Sequence, residues 1–170
     1  MLDEYFWGTV DRISPEAPIP VVNLRVTEHR LGGAANVALN IKYAGASVSI
    51  IGCIGNDTAG IHVKNLVESN GIKNNLIISP NLTTTKTRVM AMGHQLLRID
   101  KEEVCGEDQA AKLLKELTLC ISSVKAVVIS DYAKGVIRNI SNIVDLAREY
   151  AIPVIVDPKS IDLENYKSCY

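Results

Sequence analysis

Two hydrophobic spacings alternate along this chain. One is the short β-branched run, and the other is an amphipathic stretch of helical period that ends in glycine or a polar turn. Ile19 to Val26 is β-rich. Ala34 to Tyr43 sets Ala34, Val37, Ala38 and Ile41 on one helical face, and Gly45 follows as a C-terminal cap. Ser47 to Ile51 reads as a strand. Thr58 to Ser69 is a predicted helix with Ala59, Val63, Leu66 and Val67 inward and Gly71 beyond it. Asn75 to Ile78 is a strand again.

Thr83 to Asp100 breaks the alternation, because it carries two β-runs around Met92-Gly93-His94, the pattern of a hairpin. Beyond it, Glu107 to Ile121 is a predicted helix with Ala110, Leu113, Leu114 and Leu117 inward. Ala126 to Ser130 is a continuous apolar strand. Asn139 to Tyr150 is a helix with Ile140, Ile143, Val144 and Ala147 inward, and Pro153 to Asp157 is a strand. Unbroken apolar strands alternating with helices predict an α/β fold, a parallel sheet covered by helices on both faces. The β-rich pieces at 19–26 and 83–100 predict a small separate sheet beside it.

Composition narrows the function classes. The 170 residues carry 18 Lys+Arg against 19 Asp+Glu, and 47% are hydrophobic. Such a chain has apolar residues enough for one core and no global pull toward nucleic acid. No apolar run reaches the ~20 residues of a membrane span. The opening residues, Met1-Leu2-Asp3-Glu4-Tyr5, lack the basic-then-apolar pattern of a secretory leader. The four cysteines, at 53, 105, 120 and 169, have no metal-ligand spacing, so we read them as reduced thiols in a cytoplasmic protein and expect no metal site. His29, His62 and His94 have no partner acid at telling spacing and receive no catalytic role.

Ligands of open α/β sheets bind beyond the carboxyl ends of the strands. Asp131 and Asp157 stand at two such ends, each followed by a base, Lys134 and Lys159. Acids that hold Mg²⁺ beside lysines that neutralise phosphate would suit this pattern. Helix-capping acids and surface lysines are the alternative. Arg30-Leu31-Gly32-Gly33-Ala34-Ala35-Asn36 is sharper. Paired glycines admit a ligand close to the backbone, the following helix offers free N–H groups, and Asn36 can both donate and accept. A tight turn packed with small residues would look the same. Gly52-Cys53-Ile54-Gly55-Asn56-Asp57 also joins strand to helix, and there a structural role with Asp57 or Thr58 as N-cap is favoured. Arg88 and Arg98, on the hairpin, could grip a charged substrate or form a solvated strand face. The dinucleotide glycine fingerprint and the P-loop are both absent, which disfavours a nucleotide-dependent oxidoreductase.

Taken in order, several motifs resemble the ribokinase-like carbohydrate kinases, the phosphofructokinase-B type. They are Asp3, Gly32-Gly33-Ala34-Ala35-Asn36, Ala44-Gly45-Ala46, Ile51-Gly52-Cys53-Ile54-Gly55-Asn56-Asp57, Ser130-Asp131-Tyr132-Ala133-Lys134-Gly135 and Val156-Asp157-Pro158-Lys159. Narrower stretches, Arg12 to Val21, Gln95 to Asp100 and the Ser130 to Gly135 run, resemble the bacterial kinases of D-glycero-β-D-manno-heptose 7-phosphate, which serve lipopolysaccharide synthesis.

The resemblance implies a three-layer α/β/α body with a mostly parallel central sheet and a small β-lid from about 9–26 and 84–100. Asp3, Gly32, Gly33 and Asn36 would hold the sugar, with Arg88 and Arg98 at the substrate. Asp131, Lys134, Asp157 and Lys159 would lie near Mg²⁺ and ATP. The lid would pair two copies into a homodimer. The resemblance also implies a Gly-Ala-Gly-Asp segment carrying the general base, and this sequence has none; Ala44-Gly45-Ala46-Ser47 lacks the acid. We therefore expect the N-terminal half of a kinase domain without its C-terminal half, inactive alone, and with a sheet edge left uncovered. A non-catalytic sugar-binding or dimerising module, or a kinase of another sugar, are the competing readings.

Overall fold

The computed structural model describes residues 1–132, 136–137, 140–159, 166 and 169. The elements run β1 (Leu2–Ile13), β2 (Pro20–Leu31), α1 (Ala34–Tyr43), β3 (Ser49–Gly55), α2 (Thr58–Ser69), β4 (Lys73–Ser79), β5 (Thr85–Ala91), β6 (His94–Lys101), α3 (Glu107–Cys120), β7 (Val127–Ser130), α4 (Ile140–Glu149) and β8 (Val154–Asp157). A 3₁₀ turn, Ile121–Ser123, follows α3.

The α/β alternation is present. β3 and β4 pair in parallel across α2, and β7 and β8 pair in parallel across α4. Among the described residues these make two separate two-stranded ladders. Strands in a parallel pair need a long crossover, and each helix supplies one. The separate sheet is also present, and it is larger than the sequence pattern indicates. It has four strands in the order β2-β1-β5-β6, with β1 parallel to β5 and antiparallel to β2. Residues 2–8 escape a sequence reading because both faces of β1 carry polar groups, so the alternation of period two is masked.

Two cores hold the body together. Leu2, Leu31, Ala35, Ile54, Val63 and Val67 belong to the first, which seats α1 and α2 against the inner ends of β1 and β2. Leu113, Leu117, Ile129, Ile143, Val144 and Val154 belong to the second, between α3, α4 and the β7–β8 ladder. The predicted inward face of α4 is wholly buried. That of α1 is rotated, since Ala35 and Ala38 are buried while Ala34 is exposed. Adjacent alanines are equally apolar, so spacing alone could not set the phase. The directly paired Val128 and Ile155 stay 42% and 45% exposed, which leaves one face of the β7–β8 ladder uncovered.

Turn chemistry fixes the hairpin. Met92 and Gly93 join β5 to β6 with φ of 53° and 78°, the two positive values a type I′ turn requires. A left-handed conformation costs an ordinary L-residue roughly 1–2 kcal/mol, less for asparagine. Met92→Asn is therefore expected to raise stability by roughly 0.5–1 kcal/mol, read as a higher urea midpoint with unchanged slope.

Candidate functional site

The register of the four-stranded sheet assembles the site. Directly opposed residues in neighbouring strands share a face. Asp3 of β1 is opposed by Arg30 of β2 and Lys86 of β5, and Lys86 by Asp100 of β6. The next row of that face is Glu28, Tyr5, Arg88 and Arg98. Two rows of charge, crossed by one aromatic ring, therefore lie side by side.

Asp3 sits at the centre of this face. Arg88 Nη1 donates to its Oδ1 at 2.9 Å, with both side chains mostly buried. That hydrogen bond raises the Arg88 pKa above its ordinary value, so the guanidinium stays charged. Tyr5 is flanked by two cations, with Arg30 4.6 Å and Arg88 5.2 Å from its ring centroid. Arg30 is held in turn by a bidentate pair to Glu28 at 2.7 and 2.9 Å, which keeps the Glu28 carboxyl below the usual range. Arg98 grips Asp100 in the same way, at 2.8 and 2.9 Å.

Gly32 closes on the same carboxylate. A Cβ on Gly32 would lie 2.8 Å from Asp3 Oδ2 and 3.0 Å from Cγ, so only glycine leaves the carboxylate where it is. Gly33 has φ +54° and starts α1, and the ring of Tyr132 stands 3.5 Å from where its Cβ would be. Tyr132 follows β7, so a residue at the end of the β7–β8 ladder stands beside the glycine turn. Asn36 lies in the first turn of α1, exposed, its N–H donating to Gly33 O at 3.0 Å.

At that ladder's end the two predicted acids are neighbours. Ser130 is opposite Asp157, and Asp131 N donates to Asp157 O at 3.1 Å. Tyr166 Oη donates to Asp131 Oδ2 at 2.7 Å. Ser130 Oγ is buried with no hydrogen-bond partner among the described residues. Lys159 is exposed just beyond. Lys134 lies outside the described residues.

Tyr5, Lys86 and Tyr132 join this site and are not singled out by the sequence reading. Only the strand register, which pairs residues some 80 positions apart, could have found the first two. The Gly52 to Asp57 segment has the structural role it suggested, and Asp57 rather than Thr58 is the N-cap. His29 does meet an acid, Glu4, at 3.3 Å, and its ring stacks on His62 at 4.1 Å. That cluster lies on the opposite face of β1 from Asp3. Among the described residues no group of three or more His, Cys, Asp or Glu could hold a metal ion, and no helix is long and apolar enough to cross a membrane.

A sheet bearing a clamped carboxylate beside a glycine turn is thus set on an α/β body. The chain matches the pfkB family carbohydrate kinases over residues 4–170 and belongs to that family. It is 43% identical over 167 residues to the bifunctional protein HldE of Coxiella burnetii (strain Dugway 5J108-111), covering 98% of this chain and 35% of that one. It is 40% identical over 168 residues to the bifunctional protein HldE of Haemophilus ducreyi, with the same coverage. Among solved structures, phosphofructokinase-2 from Escherichia coli in complex with fructose-6-phosphate superposes with a TM-score of 0.72 at 21% identity, covering 96% of this chain and 54% of the other. A carbohydrate kinase from Agrobacterium tumefaciens gives 0.65 at 15% identity, covering 91% and 50%. The chain thus spans about a third of these curated relatives and about half of these solved kinases. The ribokinase-like fold class is that of the solved neighbours.

Proposed function

We propose that these residues form the sugar-holding half of an ATP-dependent kinase of D-glycero-β-D-manno-heptose 7-phosphate, acting at the anomeric hydroxyl. The observation that carries the reading is the Asp3 carboxylate, fixed between Arg88 and Gly32 on a charged sheet face. A clamped carboxylate accepts hydrogen bonds from adjacent sugar hydroxyls. Gly32 and Gly33 let the ring approach the backbone, and Asn36 donates and accepts at the α1 N-terminus. Arg88 and Arg98, with Lys86, supply positive charge for the substrate's phosphate, and Arg suits bidentate phosphate recognition. The kinship with HldE proteins at 40–43% identity favours the heptose substrate.

Asp131 and Asp157 on neighbouring strand ends, the Ser130 hydroxyl, which has no partner among the described residues, and Lys159 fit the phosphate side of Mg²⁺-bound ATP. Lys134 belongs to the same side by its place in the motif. When bound, ATP supplies the phosphoryl group and Mg²⁺ neutralises its charge. Transfer also needs a base within reach of the hydroxyl. The family motif that would carry it is absent from the 170 residues, so on this reading they bind the sugar phosphate without turning it over. ATP as donor places the reading in the cytoplasm.

Calorimetric titration of the chain with heptose 7-phosphate tests this, with fructose 6-phosphate as control. Heptose 7-phosphate is expected to bind more tightly, and Arg88→Gln to weaken it roughly 10- to 100-fold, the loss of one charge-assisted bond. Equal affinity for both sugars would remove the heptose assignment, and ATP consumption by the isolated chain would contradict its inactivity.

The four-stranded sheet is, on the same reading, a lid that pairs two copies. Its outer strands carry exposed apolar side chains, Leu24 and Val26 on β2, Leu97 and Ile99 on β6. Such surface favours association. Sedimentation velocity is expected to show a dimer that Ile99→Asp converts to monomer; a wild-type monomer at all concentrations would exclude the lid dimer.

A further inference from the structure

We propose that Tyr5 is a positioning residue for the Asp3 clamp: its ring keeps Arg30 and Arg88 apart and commits each to one carboxylate. The two arginines and two acids around it could pair in two ways. As observed, Arg88 bonds Asp3 at 2.9 Å and Arg30 bonds Glu28 at 2.7 and 2.9 Å. The register allows the other pairing. Asp3 is directly opposite Arg30, and directly opposed side chains in neighbouring strands start about 5 Å apart. Tyr5 is directly opposite Glu28 on one side and Arg88 on the other. Arg88 and Glu28 therefore face each other across β1, about 10 Å apart, with the ring between them. Exchanging partners would neutralise the same charges and take Arg88 off Asp3.

The ring decides between the two. The guanidinium carbons of Arg30 and Arg88 lie 4.6 and 5.2 Å from its centroid, both within reach of a cation–π contact. Arg88 would have to cross the space the ring fills to meet Glu28. Arg30 is drawn to the ring, into the row of Glu28 and out of the row of Asp3. Trp7, two residues on along the same face, stacks on Tyr5 with centroids 5.9 Å apart and planes 13° apart. Its Nε1 donates to Glu28 Oε2 at 3.3 Å, the oxygen that also accepts from Arg30 Nη2. Trp7 thus steadies both the ring and the carboxylate on which Arg30 rests. Tyr5 is half-buried and belongs to neither apolar core, so its ring serves this cluster rather than the packing of the body.

The consequence falls on Asp3. With Arg88 fixed on Oδ1, the oxygen left to accept from a ligand hydroxyl is Oδ2, the one beside Gly32. Loss of the ring frees Arg88 to leave, and the carboxylate then has no fixed orientation against the glycine turn.

The test has two arms. The first uses no sugar. Asp3→Asn and Arg88→Gln, singly and together, give the coupling between these side chains from urea unfolding. It is measured in the wild-type, Tyr5→Phe and Tyr5→Leu backgrounds. The coupling is expected to fall by at least half in Tyr5→Leu and to be rescued by Tyr5→Phe, which keeps the ring. A ring that only supported the fold would lower stability in Tyr5→Leu and leave the coupling unchanged, and that result would overturn the proposal, as would a coupling lost in Tyr5→Phe. Tyr5→Thr, a strand former that also lacks the ring, gives the same reading should Tyr5→Leu not fold. The second arm rests on the reading of this face as a sugar-phosphate site. Calorimetry with heptose 7-phosphate is expected to show binding weakened roughly 3- to 30-fold in Tyr5→Leu, the worth of one to two cation–π contacts, and rescued in Tyr5→Phe. Undiminished affinity in Tyr5→Leu would overturn the proposal. No binding by wild type would remove the sugar reading instead, and the first arm would still decide the role of Tyr5.

Discussion

Gly60→Ala is expected to disable folding, or to lower stability by more than alanine at any other described glycine. A Cβ at Gly60 would lie 2.2 Å from the Gly55 carbonyl oxygen and 3.0 Å from Thr83 Oγ1, so backbone must move. The atoms it would displace form a closed knot. Asp57 accepts from Gly60 N at 2.8 Å, from Thr83 N at 2.9 Å and from Thr83 Oγ1 at 2.7 Å. Thr83 Oγ1 in turn accepts from Gly55 N at 2.7 Å, and that bond is buried. The knot joins the end of β3, the start of α2 and the entry to β5. Asp57→Ala orphans three donors, each charge-assisted bond being worth roughly 1.5–3 kcal/mol net and not additive. We expect a loss of about 3 kcal/mol or more, against a total of roughly 5–15 kcal/mol for a typical domain. Urea titration of both variants measures it.

The same knot gives a pH signature. Burial works to raise the Asp57 pKa, but the bonds from Thr83 and Gly60 outweigh it and hold the carboxyl below its ordinary value. The folded pKa lies below the unfolded one, so the stabilisation is present above about pH 3.9 and is lost as pH falls through the folded value. Wild type should therefore lose more stability than Asp57→Ala across that acid window.

Asp3→Asn is expected to weaken sugar-phosphate binding roughly 10- to 100-fold, and Asp3→Ala further, on the usual worth of charge-assisted hydrogen bonds. The amide keeps the shape but loses the charge that holds Arg88 at 2.9 Å, freeing the guanidinium from its clamp. Gly32→Ala should reproduce much of this without touching the carboxylate's chemistry, because the added methyl would meet Oδ2 at 2.8 Å. The fold should survive both changes. Asp3 lies on the charged face of β1, while Leu2 on the other face enters the core. Retained melting behaviour alongside lost binding separates site from scaffold.

How much of this the sequence carried depends on range. Local patterns were legible: α2 begins and ends at the residues its period and glycine indicate, and the Met92-Gly93 turn sits where the hairpin pattern places it. Gly32 and Gly33 were legible as a place where backbone must stay bare, though not why, since the atoms that Gly32 spares belong to Asp3 and those nearest Gly33 to Met1 and Tyr132. Long-range pairing was not legible. Tyr5, Lys86 and Arg88 become neighbours only through a parallel β1–β5 ladder that no local pattern encodes. Glu4 and His29 meet through the equally long-range antiparallel pairing of β1 with β2. The phase of α1 was lost to the equivalence of adjacent alanines. The β7 and β8 strands were legible as unbroken apolar runs, and they pair in parallel as the alternation with α4 predicts.

One titration bears most directly on the claim that the acid of the third residue, wedged against bare backbone, anchors a phosphorylated sugar. Heptose 7-phosphate is added to wild type, Asp3→Asn and Gly32→Ala at matched ionic strength, with far-ultraviolet dichroism confirming the fold of each. We expect saturable binding by wild type and a large loss in both variants, with unchanged spectra. Undiminished affinity in Asp3→Asn would contradict the account.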